Sequence, residues 1–82
     1  MGLKRVVATV KPEYRGKVNL DFFGQILTMQ TGRTCIGEPD LDQLSWHNLS
    51  SNNTLDSLLG TLRSRNDFTE CFSIEVTDEV TD

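Results

Sequence analysis

The chain has 82 residues and a formal net charge of −4, with 37% hydrophobic and 24% charged residues. This length predicts one small domain over residues 1–82 with a thin margin of stability. The composition is that of a globular protein rather than a low-complexity one. No apolar run approaches the roughly 20 residues that a membrane-spanning helix needs, and no signal-peptide pattern follows the basic start. We therefore expect a cytoplasmic protein without membrane contacts.

The charge is distributed unevenly along the chain. Residues 1–33 hold six basic and two acidic side chains, a balance of +4, whereas residues 34–82 hold two basic and ten acidic ones, a balance of −8. Attraction between the two halves, or simple solvation, would explain this pattern. The alternative is an acidic surface that attracts a basic partner.

The first predicted elements are a strand and a helix. Lys4 to Lys11 is rich in β-branched residues and predicts a strand that Pro12 ends. In Asn19 to Thr31, six apolar residues occupy one half of a helical wheel, with Asn19 as a candidate N-cap and Gly32 as a candidate C-cap. The alternative for this segment is a pair of strands joined by a hairpin at Thr31–Gly32.

The middle of the chain gives weaker signals. Arg33 to Ile36 is short and β-prone, and predicts a second strand. Gly37 to Asp40 predicts a loop. Leu41 to Ser51 is compatible with a strand or with a single helical turn that anchors a loop.

The strongest pattern is in the last third. Four leucines spaced at i, i+3, i+4 and i+7 predict an amphipathic helix, with Asn53 or Thr54 as its cap: Leu55, Leu58, Leu59 and Leu62. A turn is expected at Asn66–Asp67. The apolar residues of the following strand alternate with polar ones: Phe72, Ile74 and Val76.

Together these elements predict a small two-layer α+β domain of the order β-α-β-loop-α-β. Its sheet is mostly antiparallel, with about two helices on one face. The acidic stretch 78–82 is expected to be a flexible tail.

Catalytic and metal chemistry find little support in the sequence. His47 is the single histidine, and two cysteines, Cys35 and Cys71, are too few for a disulfide scaffold or a usual four-ligand zinc site. Free thiols are expected, with a single disulfide as the alternative in an oxidising compartment. No glycine-rich phosphate loop is present, and we expect no cofactor. A small thiol enzyme that uses Cys35 or Cys71 with His47 is the least favoured alternative.

By elimination, the sequence predicts a non-enzymatic, acidic protein-interaction or regulatory module that could inhibit a larger protein. The expected contact surface is an acidic loop with an exposed tryptophan: Glu38, Asp40, Asp42 and Trp46. A free edge strand is the other candidate surface, through which a homodimer could also form.

The alternative function is that of a nucleic-acid accessory protein. It would use the basic segment that contains Lys11, Arg15 and Lys17 beside Tyr14. The net acidity and the lack of a basic, aromatic-studded sheet motif argue against it.

Overall fold

The computed structural model describes residues 3–50 and 53–78. Within these ranges the chain forms four strands in one sheet and three α-helices. In chain order the elements are β1 (Leu3–Val10), α1 (Leu20–Thr31), β2 (Ile36–Glu38), β3 (Gln43–Ser50), α2 (Asn53–Arg63), α3 (Asn66–Cys71) and β4 (Phe72–Asp78). Short 3-10 turns at Pro12–Tyr14 and Pro39–Leu41 follow β1 and β2. The predicted small α+β domain is confirmed.

The sheet has the strand order β2-β3-β1-β4, and each neighbouring pair is antiparallel. β1 is central, and its Ala8 pairs with Leu44 of β3 on one side and with Ile74 of β4 on the other. Val6 and Ala8 are fully buried under the helices, whereas Val7 between them is half-buried on the opposite face. The three helices therefore cover one face of the sheet.

A β-bulge interrupts the pairing of β3 with β1. Val6 pairs with Trp46, whereas Lys4 pairs with Leu49, so three steps along β3 match two steps along β1. Asn48 lies at this bulge with a φ of 59°, a left-handed conformation that asparagine tolerates better than most residues. The extra residue returns Leu49 to the helix-covered face, where it is buried with Trp46.

The segment 20–31 is a helix, as predicted, and the alternative hairpin is wrong. The Asn19 side chain accepts a hydrogen bond from the backbone N–H of Phe22 at 3.0 Å. Gly32 ends the helix with a φ of 71°. The buried residues of α1 are Phe23 and Leu27.

The leucine helix and the last strand are confirmed. Leu58 and Leu62 are buried, while Leu55 and Leu59 are half-buried beside them. Asn53 is itself the first helical residue of α2, and the residue before it lies outside the described ranges.

The turn predicted at Asn66–Asp67 is instead the start of α3. The Asp67 carboxylate accepts a hydrogen bond from the backbone N–H of Phe68, and short Asx side chains favour helix starts as well as turns. Phe68 is fully buried and stacks on Phe72 with ring centroids 4.4 Å apart. Phe23 of α1 completes this aromatic cluster.

Two boundaries in the middle of the chain differ from the sequence-based expectation. The second strand comprises Ile36–Glu38 rather than Arg33 to Ile36, so half of the expected loop belongs to the sheet. Gln43–Ser50 is a full inner strand. The alternation of apolar and polar residues along β3 breaks at the bulge, so the period of two that identifies a strand in a sequence is incomplete.

Of the predicted acidic tail, only Asp78 lies within the described ranges, and it ends β4. Its carboxylate forms an ion pair with the Lys4 ammonium across the neighbouring strand. No helix in the described part of the chain is long and apolar enough to span a bilayer.

Candidate functional site

The three predicted acidic residues occupy the connection between β2 and β3. Glu38 is the last residue of β2, Asp40 lies in the 3-10 turn, and Asp42 follows that turn with a φ of 53°. The turn is closed by the Asp42 backbone N–H, which donates to the Pro39 carbonyl at 3.2 Å. The structure thus brings these residues together, and we call residues 36–42 the acidic edge.

The three carboxylates are not equivalent. Asp42 forms an ion pair with Arg15, whose Nε lies 3.0 Å from Oδ2. Glu38 and Asp40 are exposed and make no ion pair or side-chain hydrogen bond within the described ranges. The uncompensated negative charge of the acidic edge therefore comes from Glu38 and Asp40.

The expectation that Trp46 is an exposed contact residue is wrong. Its side chain is 0% exposed, at the centre of the sheet opposite Val6. The indole N–H is buried and finds no acceptor among the described residues. Trp46 belongs to the core because it lies on the face of β3 that the helices cover.

Two apolar residues that the sequence did not single out provide exposed surface at the acidic edge. Ile36 is 47% exposed on β2, and Leu41 is 58% exposed in the 3-10 turn. The sequence shows both as apolar residues near Glu38 and Asp40 in an acidic, loop-like stretch. However, no periodicity distinguished them from residues that anchor a loop.

A groove of about 570 Å³ separates α1 from β2. Its walls include two glycines, Gly24 on α1 and Gly37 on β2, on either side of Leu44. A methyl group added to Gly24 or Gly37 would lie 3.8 or 3.7 Å from Leu44 Cδ2, an ordinary contact. Neither glycine projects a side chain into this space, although a glycine within a helix costs about 1 kcal/mol relative to alanine. We call this space the α1–β2 groove.

The two ends of the α1–β2 groove differ. Asp21 lines the end at the start of α1 and is the one charged residue among those that line the groove. Met29, in the last turns of α1, borders the other end and is 82% exposed. A flexible methionine beside an apolar groove can adapt to ligands of different shapes.

Cys35 lines the same groove. Its backbone N–H donates to the Thr28 hydroxyl at 3.3 Å, which fixes the start of β2 against α1. Burial raises the pKa of the Cys35 thiol to about 11, and a hydrogen bond from the Ser45 backbone offsets only part of this effect. At neutral pH the side chain is therefore a protonated thiol, a poor nucleophile.

The predicted basic segment is partly neutralised by its neighbours. Arg15 is paired with Asp42, and Tyr14 donates a hydrogen bond to Glu70 at 2.8 Å. Lys17 is exposed, and Lys11 is half-buried, with its backbone N–H bonded to the Cys71 carbonyl. Carboxylates thus lie among the basic residues, so nucleic-acid binding through them stays a prediction that this geometry does not favour.

The other chemistry-bearing side chains are dispersed. Both cysteines are free thiols, and His47 Nε2 lies 3.0 Å from the Ser45 hydroxyl, on the uncovered face of the sheet. Residues 3–50 and 53–78 contain no group of three or more His, Cys, Asp or Glu side chains able to hold a metal ion.

Comparison of the chain with protein-family models, with curated proteins and with solved structures found no match.

Proposed function

We propose that the protein is a non-enzymatic, acidic interaction module that regulates or inhibits a larger protein by covering part of its surface. The observation that carries this proposal is the acidic edge, where Ile36 and Leu41 are about half exposed and flank the two uncompensated carboxylates of Glu38 and Asp40 in the sequence. Two free thiols suit a reducing compartment, so we place the module in the cytoplasm.

The chemistry of the acidic edge indicates a basic partner. Exposed apolar side chains rimmed by charge are typical of protein-binding sites. Burying Ile36 and Leu41 fully in an interface would contribute about 1 kcal/mol each to the free energy of binding, since half of each side chain is already covered. Glu38 and Asp40 would add charge complementarity, which mainly raises the association rate and the specificity.

A charge-reversal experiment tests this proposal. The tagged protein is incubated with cell extracts, and captured proteins are quantified by mass spectrometry at low and high salt. The variant Glu38→Lys with Asp40→Lys removes the negative charge of the acidic edge. The control, Glu13→Lys with Asp56→Lys, changes the net charge equally at exposed residues of other elements.

We expect a basic partner that binds the native protein and the control, is lost with the acidic-edge variant, and dissociates at high salt. Reconstitution of the purified partner should then reproduce that order of affinities. If the captured proteins do not differ between the acidic-edge variant and its control, the acidic edge is not the binding surface. If the native protein captures nothing above an empty matrix at low salt, the proposal is wrong.

A further inference from the structure

We infer that the α1–β2 groove binds an extended segment of the partner, which adds to the free edge of β2 as a fifth strand. This inference rests on the proposed function and specifies the chemistry of the partner. The segment carries an apolar side chain that enters the groove and a basic side chain that faces Glu38.

The first argument is the free edge of β2. This strand is the outermost in the order β2-β3-β1-β4, and it pairs with β3 on one side only. Its three residues, Ile36–Glu38, are all exposed. The backbone groups on its other side can therefore form a ladder with an added strand.

The second argument is the adjacent cavity. Successive side chains of an added strand point to opposite faces of the sheet. On one face they meet the α1–β2 groove, where Gly24 and Gly37 leave room beside Leu44. The fold does not require these glycines for lack of space, because an added methyl group at either would make only ordinary contacts. With glycine at both positions, the α1–β2 groove stays open beside the free edge of β2.

The third argument is the chemistry on the other face. Gly37 lines the groove, so the side chains of Ile36 and Glu38 lie on the opposite face, next to Ser45 and Gln43. An antiparallel strand would place a basic residue opposite Glu38, an apolar residue into the groove, and an apolar residue opposite Ile36. Asp21 at one end of the groove favours a further basic residue. The recognised sequence is thus a basic residue followed by two apolar residues, with a further basic residue near Asp21.

Like charge argues against a second copy of this chain as the occupant. Pairing β2 with β2 around Gly37 would place Glu38 of each copy opposite Ile36 of the other, with no basic residue to meet either carboxylate, between molecules that each carry a net charge of −4. The other sheet edge, β4, presents Glu75 and Asp78 and adjoins none of the residues that line the groove. A basic partner strand on β2 satisfies both the charge and the space.

The test uses a phage-displayed library of random linear heptapeptides, selected on the native protein at low salt. The enriched peptides are synthesised and their dissociation constants measured by fluorescence anisotropy. Gly24→Met fills the groove from α1 and Gly37→Val fills it from β2, so the two variants reach the same cavity from opposite walls. Gly60→Met is the matched control, because Gly60 lies in α2 with nothing within 4 Å of an added methyl group. Circular dichroism establishes that each variant is folded.

We expect enriched peptides that contain a basic residue followed by two apolar residues and that bind the native protein and Gly60→Met equally. Either groove-filling variant should weaken binding about 10-fold or more, the loss expected when an apolar side chain loses its pocket. Bound peptide should slow amide hydrogen exchange along β2, and slow the alkylation of Cys35 more than that of Cys71.

Several outcomes would overturn the inference: no enrichment over the unselected library, undiminished binding to folded groove-filling variants, or slowed exchange along β4 instead of β2. A concentration-dependent dimer that Gly24→Met abolishes would also overturn it, because the occupant would then be a second copy. If a basic partner is still captured through Glu38 and Asp40, the interaction function stands and only the groove assignment fails.

Discussion

Replacing Trp46 distinguishes a core residue from a contact residue. Trp46→Ala removes the indole from the centre of the sheet, where it is fully buried. Trp46→Phe keeps an aromatic ring and removes the indole N–H, which has no acceptor among the described residues. The two variants therefore separate lost packing from the cost of a buried, unpaired donor.

The expected magnitudes follow from burial. Truncating a buried tryptophan to alanine costs about 3–5 kcal/mol, and a domain of this size has a total stability of roughly 4–12 kcal/mol. The Trp46→Ala variant should therefore be largely unfolded or only marginally stable. Trp46→Phe loses part of the packing, but it also removes the buried, unpaired N–H donor, which returns roughly 1–3 kcal/mol to the free energy of unfolding. We expect a net change of less than about 2 kcal/mol for this variant.

Urea unfolding followed by far-ultraviolet circular dichroism measures both variants, since the single tryptophan is lost as a fluorescent probe. In the native protein, Trp46 emission should be blue-shifted and resist quenching by acrylamide until the chain unfolds. If Trp46→Ala lowers the free energy of unfolding by less than about 1 kcal/mol, or if acrylamide quenches the native emission fully, Trp46 is not a core residue. The packing argument would then be wrong.

The remaining predictions concern glycines and titratable groups. Gly60→Ala should stabilise the protein by about 0.5–1 kcal/mol through helix propensity. Gly32→Ala should destabilise it by about 1 kcal/mol, because Gly32 has a φ of 71°. Equal changes in the free energy of urea unfolding for the two variants would contradict this prediction. With its pKa near 11, Cys35 should react with iodoacetamide at pH 8 about 100-fold more slowly than in the urea-unfolded chain, and similar rates would refute a buried thiol. The folded state retains the Cys35 proton that the unfolded chain releases near its ordinary pKa of 9.0. The contribution of the Cys35 thiol to the free energy of unfolding should therefore be complete below about pH 9 and be lost as the pH rises toward 11. A free energy of unfolding that stays constant from pH 8 to 11 would count against this prediction. The hydrogen bond to Glu70 is the main cause of the raised pKa of Tyr14, so Glu70→Gln should lower this pKa in an ultraviolet titration, and an unchanged pKa would exclude that cause.

The sequence predicted the elements whose periodicity is uninterrupted. The leucine spacing of α2 and the alternation after Phe72 are each visible within one segment. The sequence does not distinguish a strand from a helical turn at β3, because the bulge at Asn48 shifts Leu49 out of phase with Leu44 and Trp46. α3 escaped notice because Asn and Asp favour helix starts as well as turns.

The candidate site was only partly predictable. The acidic edge is contiguous in the sequence, so its charge could be read directly. The burial of Trp46 could not, since residues 41–51 stay open between a strand and a helical turn in the sequence, and only a strand places Trp46 beside Leu44 on one apolar face. The α1–β2 groove forms between Gly24 and Gly37, which are brought together only by the fold. No local pattern encodes such a cavity.

The central position of β1 governs how the chain must fold. Its two neighbours, β3 and β4, follow far later in the sequence, and the pairing of Lys4 with Asp78 joins residues 74 positions apart. During synthesis β1 emerges long before either neighbour and has both edges unpaired until they arrive. Such non-local topology predicts slow, all-or-none folding relative to helical proteins of this length. Removing β4 would leave β1 with an open edge and delete Phe72 from the aromatic cluster, so a truncated chain should aggregate rather than fold to a smaller domain.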